Sequence, residues 1–237
     1  MTNIGRISKS RKRNPVVVCD FDDTTAKENV AQMLLEEFGG SNWRDFRNSH
    51  QRNQISLMEY QELAFGTVRA DRNTLKEFVR QTATLRDGFK TLFEFCRSEN
   101  IPIVIASLGL DFYIEALLEK EGLETIPFFA ADTAFTEKGI KYSYRYKWKK
   151  CWQPGNCKCL VLNRYRELGY DTVIFAGDGN SDICPAKKSD VVFARRFLET
   201  HLSQNGLSFY KLSDFSDVIE VLKLICAESK SGVNNCD

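Results

Sequence analysis

Three aspartates follow a short apolar segment near the start of the sequence. Residues 16–18 are valines, Cys19 follows them, and Asp20, Asp22 and Asp23 come next. Four apolar residues, three of them β-branched, predict a short buried strand. Ionised carboxylates at the end of such a strand are costly to bury unless they are paired or bind a metal. The pattern therefore favours a ligand site at the carboxyl edge of a parallel sheet over an acidic turn.

Two further predicted buried strands also end in polar residues. The strand over residues 101–106 is followed by Ser107, and the strand over residues 172–176 is followed by Asp178 and Asp182. Because the carboxyl ends of parallel strands lie at the same edge of a sheet, we expect these residues to meet the first acidic cluster.

Carboxylates, a hydroxyl and an amine at one sheet edge fit phosphoryl transfer. One carboxylate can attack phosphorus and form an aspartyl-phosphate, which divides a difficult step into two. A second carboxyl group can protonate the leaving alkoxide and then take a proton from the attacking water. Because clustered carboxylates repel each other and an anionic substrate, a cation is required, and hard oxygen ligands suit Mg²⁺. The Ser107 hydroxyl and the Lys158 ammonium, in the predicted loop before a helix, would hold the phosphoryl oxygens.

The elements that must position these groups alternate between strand and helix. That alternation predicts an α/β fold, a Rossmann-like three-layer core with a parallel sheet. A run of short helices interrupts it and is most simply an inserted all-helical cap, in which Ser56 and Glu59 form a capping box. We predict a basic flexible tail over residues 1–14 and a flexible C-terminal tail over residues 228–237. The core consists of residues 15–25 and 86–227, and the cap, residues 26–85, lies between these two pieces.

Composition narrows the class of partner. The 237 residues include 33 basic and 32 acidic side chains, a net charge of +1, so neither nucleic acid nor a membrane is expected as the main partner. No apolar run is long enough to span a bilayer, and the N-terminus lacks the apolar core of a signal peptide. We expect a cytoplasmic monomer or homodimer that acts on a small phosphorylated metabolite.

Eight cysteines and two histidines bear on metal and redox chemistry. In a cytosolic enzyme the cysteines are expected to be thiols. Cys151, Cys157 and Cys159 are close in sequence, but their spacing is not that of two close ligand pairs and no histidine is near. Free thiols near the site entrance are the expectation, with zinc binding as the alternative.

Four motifs in order resemble those of the haloacid dehalogenase-like phosphatase superfamily across residues 15–195. They are Asp20-Phe21-Asp22-Asp23-Thr24, Ser107, Lys158 and Gly177-Asp178-Gly179-Asn180-Ser181-Asp182.

The resemblance implies a role for each of these residues. Asp20 would be the nucleophile and Asp22 the general acid and base. Mg²⁺ would be held by Asp20, the backbone carbonyl of Asp22 and Asp178, with Asp182 supporting the metal or its waters. Thr24 would orient the first loop.

Substrate binding is expected from both the core and the cap. Besides Thr24, Ser107 and Lys158, the core residue Gly109 is a candidate. Glu28 and Arg52, on the predicted cap, are candidates for reading the end of the substrate away from the phosphate, as is Arg47.

Two departures from the family pattern affect the substrate. Asp23 stands where a glycine is usual, and Ser107-Leu108-Gly109 replaces the Ser-Gly-Gly of phosphoserine phosphatases, which disfavours phosphoserine. Arg86-Asp87-Gly88-Phe89 and the cysteine-rich loop are similar to the 2-hydroxy-3-keto-5-methylthiopentenyl-1-phosphate phosphatases of methionine salvage. Asp182-Ile183-Cys184-Pro185 resembles the phosphoethanolamine/phosphocholine phosphatases.

Two other activities use related chemistry. A dehalogenase is disfavoured because Asp22 is a carboxylate, whereas a departing halide needs no protonation. A phospho-receiver, which carries an aspartyl-phosphate as a signal, is disfavoured because a cap shields a small substrate from water.

Overall fold

A computed structural model describes residues 13–137, 139–149, 151 and 154–231 of the chain. Most of the predicted basic tail and the end of the predicted C-terminal tail lie outside the described residues. The strands are β1 Pro15–Cys19, β2 Ile103–Leu110, β3 Phe128–Thr136, β4 Gly139–Ser143, β5 Thr172–Gly177, β6 Val191–Ala194 and β7 Tyr210–Lys211. The helices are α1 Val30–Phe38, α2 Trp43–Gln51, α3 Leu57–Phe65, α4 Arg72–Thr82, α5 Phe89–Ser98, α6 Asp111–Glu121, α7 Lys158–Glu167, α8 Ile183–Ala186, α9 Arg196–Gln204 and α10 Ser216–Ser231.

The strands form one sheet in the order β4-β3-β2-β1-β5-β6-β7. All neighbours run parallel except β3 and β4, which form an antiparallel hairpin. The valine-rich β1 lies at the centre, where Val17 is in register with Ile103 of β2 and Ile174 of β5. The predicted parallel sheet is confirmed, and the chain leaves its central strand directly into the acidic motif.

Helices cover both faces of the sheet, as the uniformly apolar strands require. On one face, Val17 and Cys19 belong to the same buried cluster as residues of α5, α6 and α10. On the other, Val16 and Val18 belong to a second cluster with residues of α7 and α9. The predicted three-layer α/β core is therefore confirmed.

The four helices α1–α4 follow β1 with no strand between them, and they form the predicted helical insertion. The predicted capping box is present: Ser56 Oγ accepts from the Glu59 N–H, and the Glu59 carboxylate accepts from the Ser56 N–H. Ala26 and Leu85 pair in an isolated antiparallel bridge. This bridge lies at the two ends of the predicted cap, so the chain enters and leaves the insertion side by side.

The chain differs from the sequence-based expectation in three places near the sheet edge. Strand β2 continues through Ser107 to Leu110, because its pairing with β3 shifts register between Ala106 and Leu110 and then resumes. Lys158 is the first residue of α7 rather than part of the preceding loop. Helix α9 and the two-residue strand β7 were not predicted, since neither carries a long apolar pattern.

Candidate active site

Asp20 lies immediately after the central strand, at the carboxyl edge of the sheet. Its side chain is buried, and its Oδ1 atom lies 2.6 Å from Nζ of Lys158. The same ammonium lies 2.6 Å from Oδ1 of Asp182. Lys158 therefore joins two segments that are far apart in sequence, and all three groups are withdrawn from water.

Asp182 is fixed by the loop that follows β5. Its Oδ2 accepts hydrogen bonds from the backbone N–H groups of Asp178, at 3.0 Å, and Gly179, at 2.9 Å. A side chain at Gly177 would place a Cβ 2.6 Å from the Asp182 Cγ atom, so this position requires glycine. The glycine-rich sequence thus allows a fully buried carboxylate to lie against the strand end.

Three carboxylates converge at this point. One oxygen each from Asp20, Asp178 and Asp182 lie within 4.8 Å of one another. Burial raises the pKa of Asp20 well above its usual value, and the Asp182 charge adds to the effect. Burial likewise raises the pKa of Asp178 to about 7. Since Lys158 is the only cation in contact with Asp20 among the described ion pairs, three hard oxygen donors with one ammonium fit a divalent cation.

Thr24 forms a hydrogen bond with one of these three carboxylates. Its buried hydroxyl donates to Oδ1 of Asp178 at 3.3 Å. This contact links the loop after β1 to the loop after β5, while the orienting role of Thr24 stays a prediction.

Asp22 has a different environment from Asp20. Its Oδ2 accepts from the Tyr113 hydroxyl at 2.8 Å, and its Oδ1 accepts from the Ala31 N–H at 3.2 Å. Burial raises the pKa of Asp22 to about 6, although both hydrogen bonds act in the opposite direction. A carboxyl group with that pKa can exchange a proton near neutral pH.

Gly109 is required by the contact between Tyr113 and Asp22. A Cβ at Gly109 would lie 1.7 Å from the Tyr113 hydroxyl and 3.1 Å from Oδ2 of Asp22. Sequence reasoning placed Gly109 in the site but missed Tyr113, because Tyr113 lies within the apolar pattern of α6 and resembles a core residue.

Asp23, which replaces the usual glycine, keeps the left-handed backbone conformation with φ of 60°. Its carbonyl oxygen accepts from Arg86 Nη2 at 2.7 Å and from Arg195 Nη1 at 3.0 Å. Its carboxylate accepts from Asn29 Nδ2 at 3.0 Å and pairs with Arg196. Aspartate tolerates this conformation better than most residues, and these partners compensate its charge.

Arg195 and Arg196 were missed by sequence reasoning, yet a usable signal exists. They follow β6 directly, at the same edge of the sheet as the predicted site. The rule that singled out Asp20, Ser107 and Asp178 would also have selected them.

A cavity of about 300 Å³ lies between this sheet edge and the helical insertion. On the core side it is lined by predicted site residues: Asp20, Asp22, Ser107, Gly109, Lys158 and Asp178. On the cap side its lining includes Leu35, Arg47, His50, Leu57, Tyr60, Gln61 and Phe65.

Three predicted substrate-binding residues are not brought to the cavity. Thr24, Glu28 and Arg52 are all absent from the described lining. Both carboxylate oxygens of Glu28 accept hydrogen bonds from Thr84, and Arg52 is exposed at the end of α2. The insertion instead presents Arg47, which sequence reasoning had also considered.

The chain matches the family model described as "Putative Phosphatase" over residues 15–225, and it belongs to that family. It is 31% identical over 210 residues to a 2-hydroxy-3-keto-5-methylthiopentenyl-1-phosphate phosphatase of Bacillus velezensis, an alignment that covers 87% of this chain and 88% of the relative.

Solved structures agree with the fold. A haloacid dehalogenase family hydrolase from Salmonella enterica serovar Typhi superposes with a TM-score of 0.67 at 14% identity, over 86% of this chain and 69% of that one. A phosphoserine phosphatase, solved as an analogue of its phospho-aspartyl intermediate, superposes with a TM-score of 0.65 at 14% identity, over 90% of this chain and 99% of that one. The predicted class, a phosphoric monoester hydrolase, is confirmed by the family and the relative. The fold is the one that the haloacid dehalogenase family structure shows.

No helix in the described part of the chain is long and apolar enough to cross a membrane.

Proposed function

We propose that the chain is a Mg²⁺-dependent phosphomonoesterase that works through an aspartyl-phosphate on Asp20. The observation that carries this proposal is the position of Asp20, at the end of the central strand and 2.6 Å from a buried lysine. Asp178 and Asp182 lie beside it, and Asp22 lies two residues further along. The nucleophile Asp20 and the proton donor Asp22 thus line one cavity, and Lys158 compensates charge beside them.

The reaction proceeds in two balanced steps. A carboxylate oxygen of Asp20 attacks phosphorus while the bond to the substrate oxygen breaks, and Asp22 gives its proton to the departing alkoxide. Water then attacks the phosphorus, Asp22 takes its proton, and the bond from phosphorus to Asp20 breaks. The pKa of about 6 supports Asp22 in both roles.

Lys158 holds the nucleophile and compensates charge. Its short contacts with Asp20 and Asp182 fix the Asp20 side chain at the floor of the cavity. The Ser107 hydroxyl lines the same cavity and is available to donate to a phosphoryl oxygen. The Gly109 N–H donates to the Ser107 hydroxyl oxygen at 2.9 Å and so holds that side chain in place.

Asp20, Asp178 and the backbone carbonyl of Asp22 would hold Mg²⁺, with Asp182 supporting it. When bound, the ion would neutralise the clustered carboxylates and the incoming phosphate. The hard oxygen donors of these residues fit Mg²⁺ better than a thiophilic metal.

The substrate proposed is 2-hydroxy-3-keto-5-methylthiopentenyl-1-phosphate of methionine salvage, after which several relatives are named. The apolar side chains of Leu35, Leu57 and Phe65 on the cap side suit a thioether tail. The enzyme would act in the cytoplasm, as a monomer or homodimer.

Phosphate release from a panel of metabolites tests the proposal. The panel contains the methylthiopentenyl phosphate, phosphoserine, phosphoethanolamine and phosphocholine, each with Mg²⁺ and with a chelator. We expect Mg²⁺-dependent release that is fastest with the first compound. Faster release from phosphoserine or phosphocholine would overturn the substrate and keep the class, whereas full activity of Asp20→Asn would overturn the mechanism.

A further inference from the structure

We propose that Cys151, Cys157, Cys159 and Cys184 bind a zinc ion that joins the segment carrying Lys158 to the segment carrying Asp182. This inference does not rest on the proposed function, since the ion would serve the architecture of the site.

Four thiols from two distant segments line one small cavity. Three of them stand just before or at the start of α7, and the fourth lies in α8. All four line a cavity of about 90 Å³ beside the active site. Sequence reasoning considered only the first three, because Cys184 is 25 residues beyond Cys159 and reaches them only in the fold.

Two of the sulfur atoms, one from each segment, are in contact. The Sγ atoms of Cys159 and Cys184 lie 3.3 Å apart, and Cys151 and Cys157 line the same cavity. Among the described residues only the aspartate group has three ligand atoms all within 4.8 Å of one another. Zinc binding would therefore require the two partly exposed end thiols, Cys151 and Cys184, to move towards Cys157 and Cys159.

A buried donor without a partner among the described residues lies beside the same cavity. Asn156 is 5% exposed and lines this cavity, and no described residue accepts a hydrogen bond from its Nδ2. Its Oδ1 accepts from the Tyr146 N–H at 3.0 Å, which fixes the orientation of the amide. A buried N–H group is costly to leave unpaired, and metal-bound thiolates are acceptors that would satisfy it.

One of the four thiols lies at the start of a helix. Cys157 is the N-cap residue of α7, and its backbone carbonyl accepts from the Leu160 N–H at 3.0 Å. The N-terminal end of a helix stabilises negative charge and so favours the thiolate form of this side chain. Thiolate is the form that binds a metal, and four sulfur ligands without a carboxylate select zinc over Mg²⁺.

The location gives the ion its role. Lys158 lies between two of the four cysteines, and Asp182 lies two residues before the fourth. The side chains of Lys158 and Asp182 contact each other at 2.6 Å and Lys158 contacts Asp20. A zinc ion would therefore hold in place the two segments that together support the nucleophile.

Metal content and cobalt spectroscopy test the proposal. The full chain is purified in a reducing buffer, its zinc is measured by mass spectrometry, and cobalt is then titrated into the protein after zinc removal. We expect one zinc per chain and the absorption bands of tetrahedral cobalt–thiolate coordination. Cys184→Ser should weaken zinc binding by more than about tenfold. The matched control Cys226→Ser, on α10, should keep the metal.

Three results would overturn the proposal. The first is a folded wild-type chain that retains no zinc and gives no cobalt–thiolate bands, a measurement that needs no variant to fold. The second is zinc that is lost in Asp20→Asn and retained in Cys184→Ser, which would place the ion at the aspartates. The third is a disulfide between Cys159 and Cys184 in the chain as purified without reductant. Phosphate release enters none of these measurements, so this proposal and the proposed activity can fail separately.

Discussion

The two walls of the active-site cavity are built differently. On the core wall, the side chains of Asp20, Asp22 and Lys158 each have short hydrogen bonds or ion pairs to other buried groups. On the cap wall, apolar side chains such as Leu35 and Phe65 stand beside polar ones. The core wall carries the groups for chemistry, while the cap wall offers shape and apolar surface. The contrast implies that core substitutions act on turnover and cap substitutions act on substrate affinity.

Asp20→Asn should cause the largest loss. An amide cannot attack phosphorus and leaves Lys158 with one carboxylate fewer, so kcat should fall by at least about 10³-fold. Phosphate release under saturating substrate measures the effect. Asp45→Asn, at an exposed aspartate of α2, is the control and should retain full activity.

Gly109→Ala should cause the second-largest loss of activity. Its Cβ would displace Tyr113 from Asp22, so we expect kcat to fall by about 100-fold and the free energy of unfolding by about 2 kcal/mol. Chemical denaturation and steady-state kinetics measure the two effects. Tyr113→Phe removes only the hydroxyl and should cost less, about tenfold in kcat. A KM change without a kcat change in either variant would contradict the assignment of this wall to chemistry.

Stability should depend on pH when metal is removed. The pKa values of Asp22 and Asp178, about 6 and about 7, lie above the usual 3.8, first of all because of burial. The folded chain therefore binds more protons than the unfolded chain between about pH 4 and pH 7, and stability should fall as the pH rises through this window. Thermal melts in a chelator measure this slope.

Magnesium should restore stability most at the upper end of that window, where the carboxylates are charged. Asp178→Asn should flatten the slope, while Asp45→Asn should leave it unchanged. A slope that is unaltered in Asp178→Asn would show that these carboxylates are not its source.

Gln61→Ala should give the smallest effect and only on affinity. Gln61 Nε2 donates to the Leu108 carbonyl at 3.0 Å and so ties the cap to the core beside the cavity. We expect KM to rise by about threefold to tenfold with kcat nearly unchanged. Gln54→Ala, at an exposed glutamine, is the control. A large fall in kcat would contradict the division between the two walls.

The sequence predicted the sheet and the first acidic motif because both depend on local pattern. Val16 to Cys19 are apolar enough to specify a central strand, and Asp20 and Asp22 follow it directly. Asp178 and Asp182 could be added because parallel strands end at one edge. Lys158 lies beside Asp20, and the predicted loop position was wrong because Lys158 begins α7.

The other features of the site could not be predicted, because they depend on contacts that no local sequence pattern shows. Tyr113 lies in an apolar helix, and its contact with Asp22 exists only because Gly109 has no side chain. Glu28 is charged and near the motif, yet its carboxylate is used by Thr84. The roles assigned to individual site residues and the exact domain boundaries stay predictions.

The bridge between Ala26 and Leu85 has a consequence for how such enzymes diversify. Because the chain departs from the core and returns to it through one antiparallel pair, a tight turn across these two positions would close the core without altering its sheet. A different segment joined at these two positions would meet the same sheet and the same Asp20, Asp22 and Lys158, all of which lie outside residues 26–85.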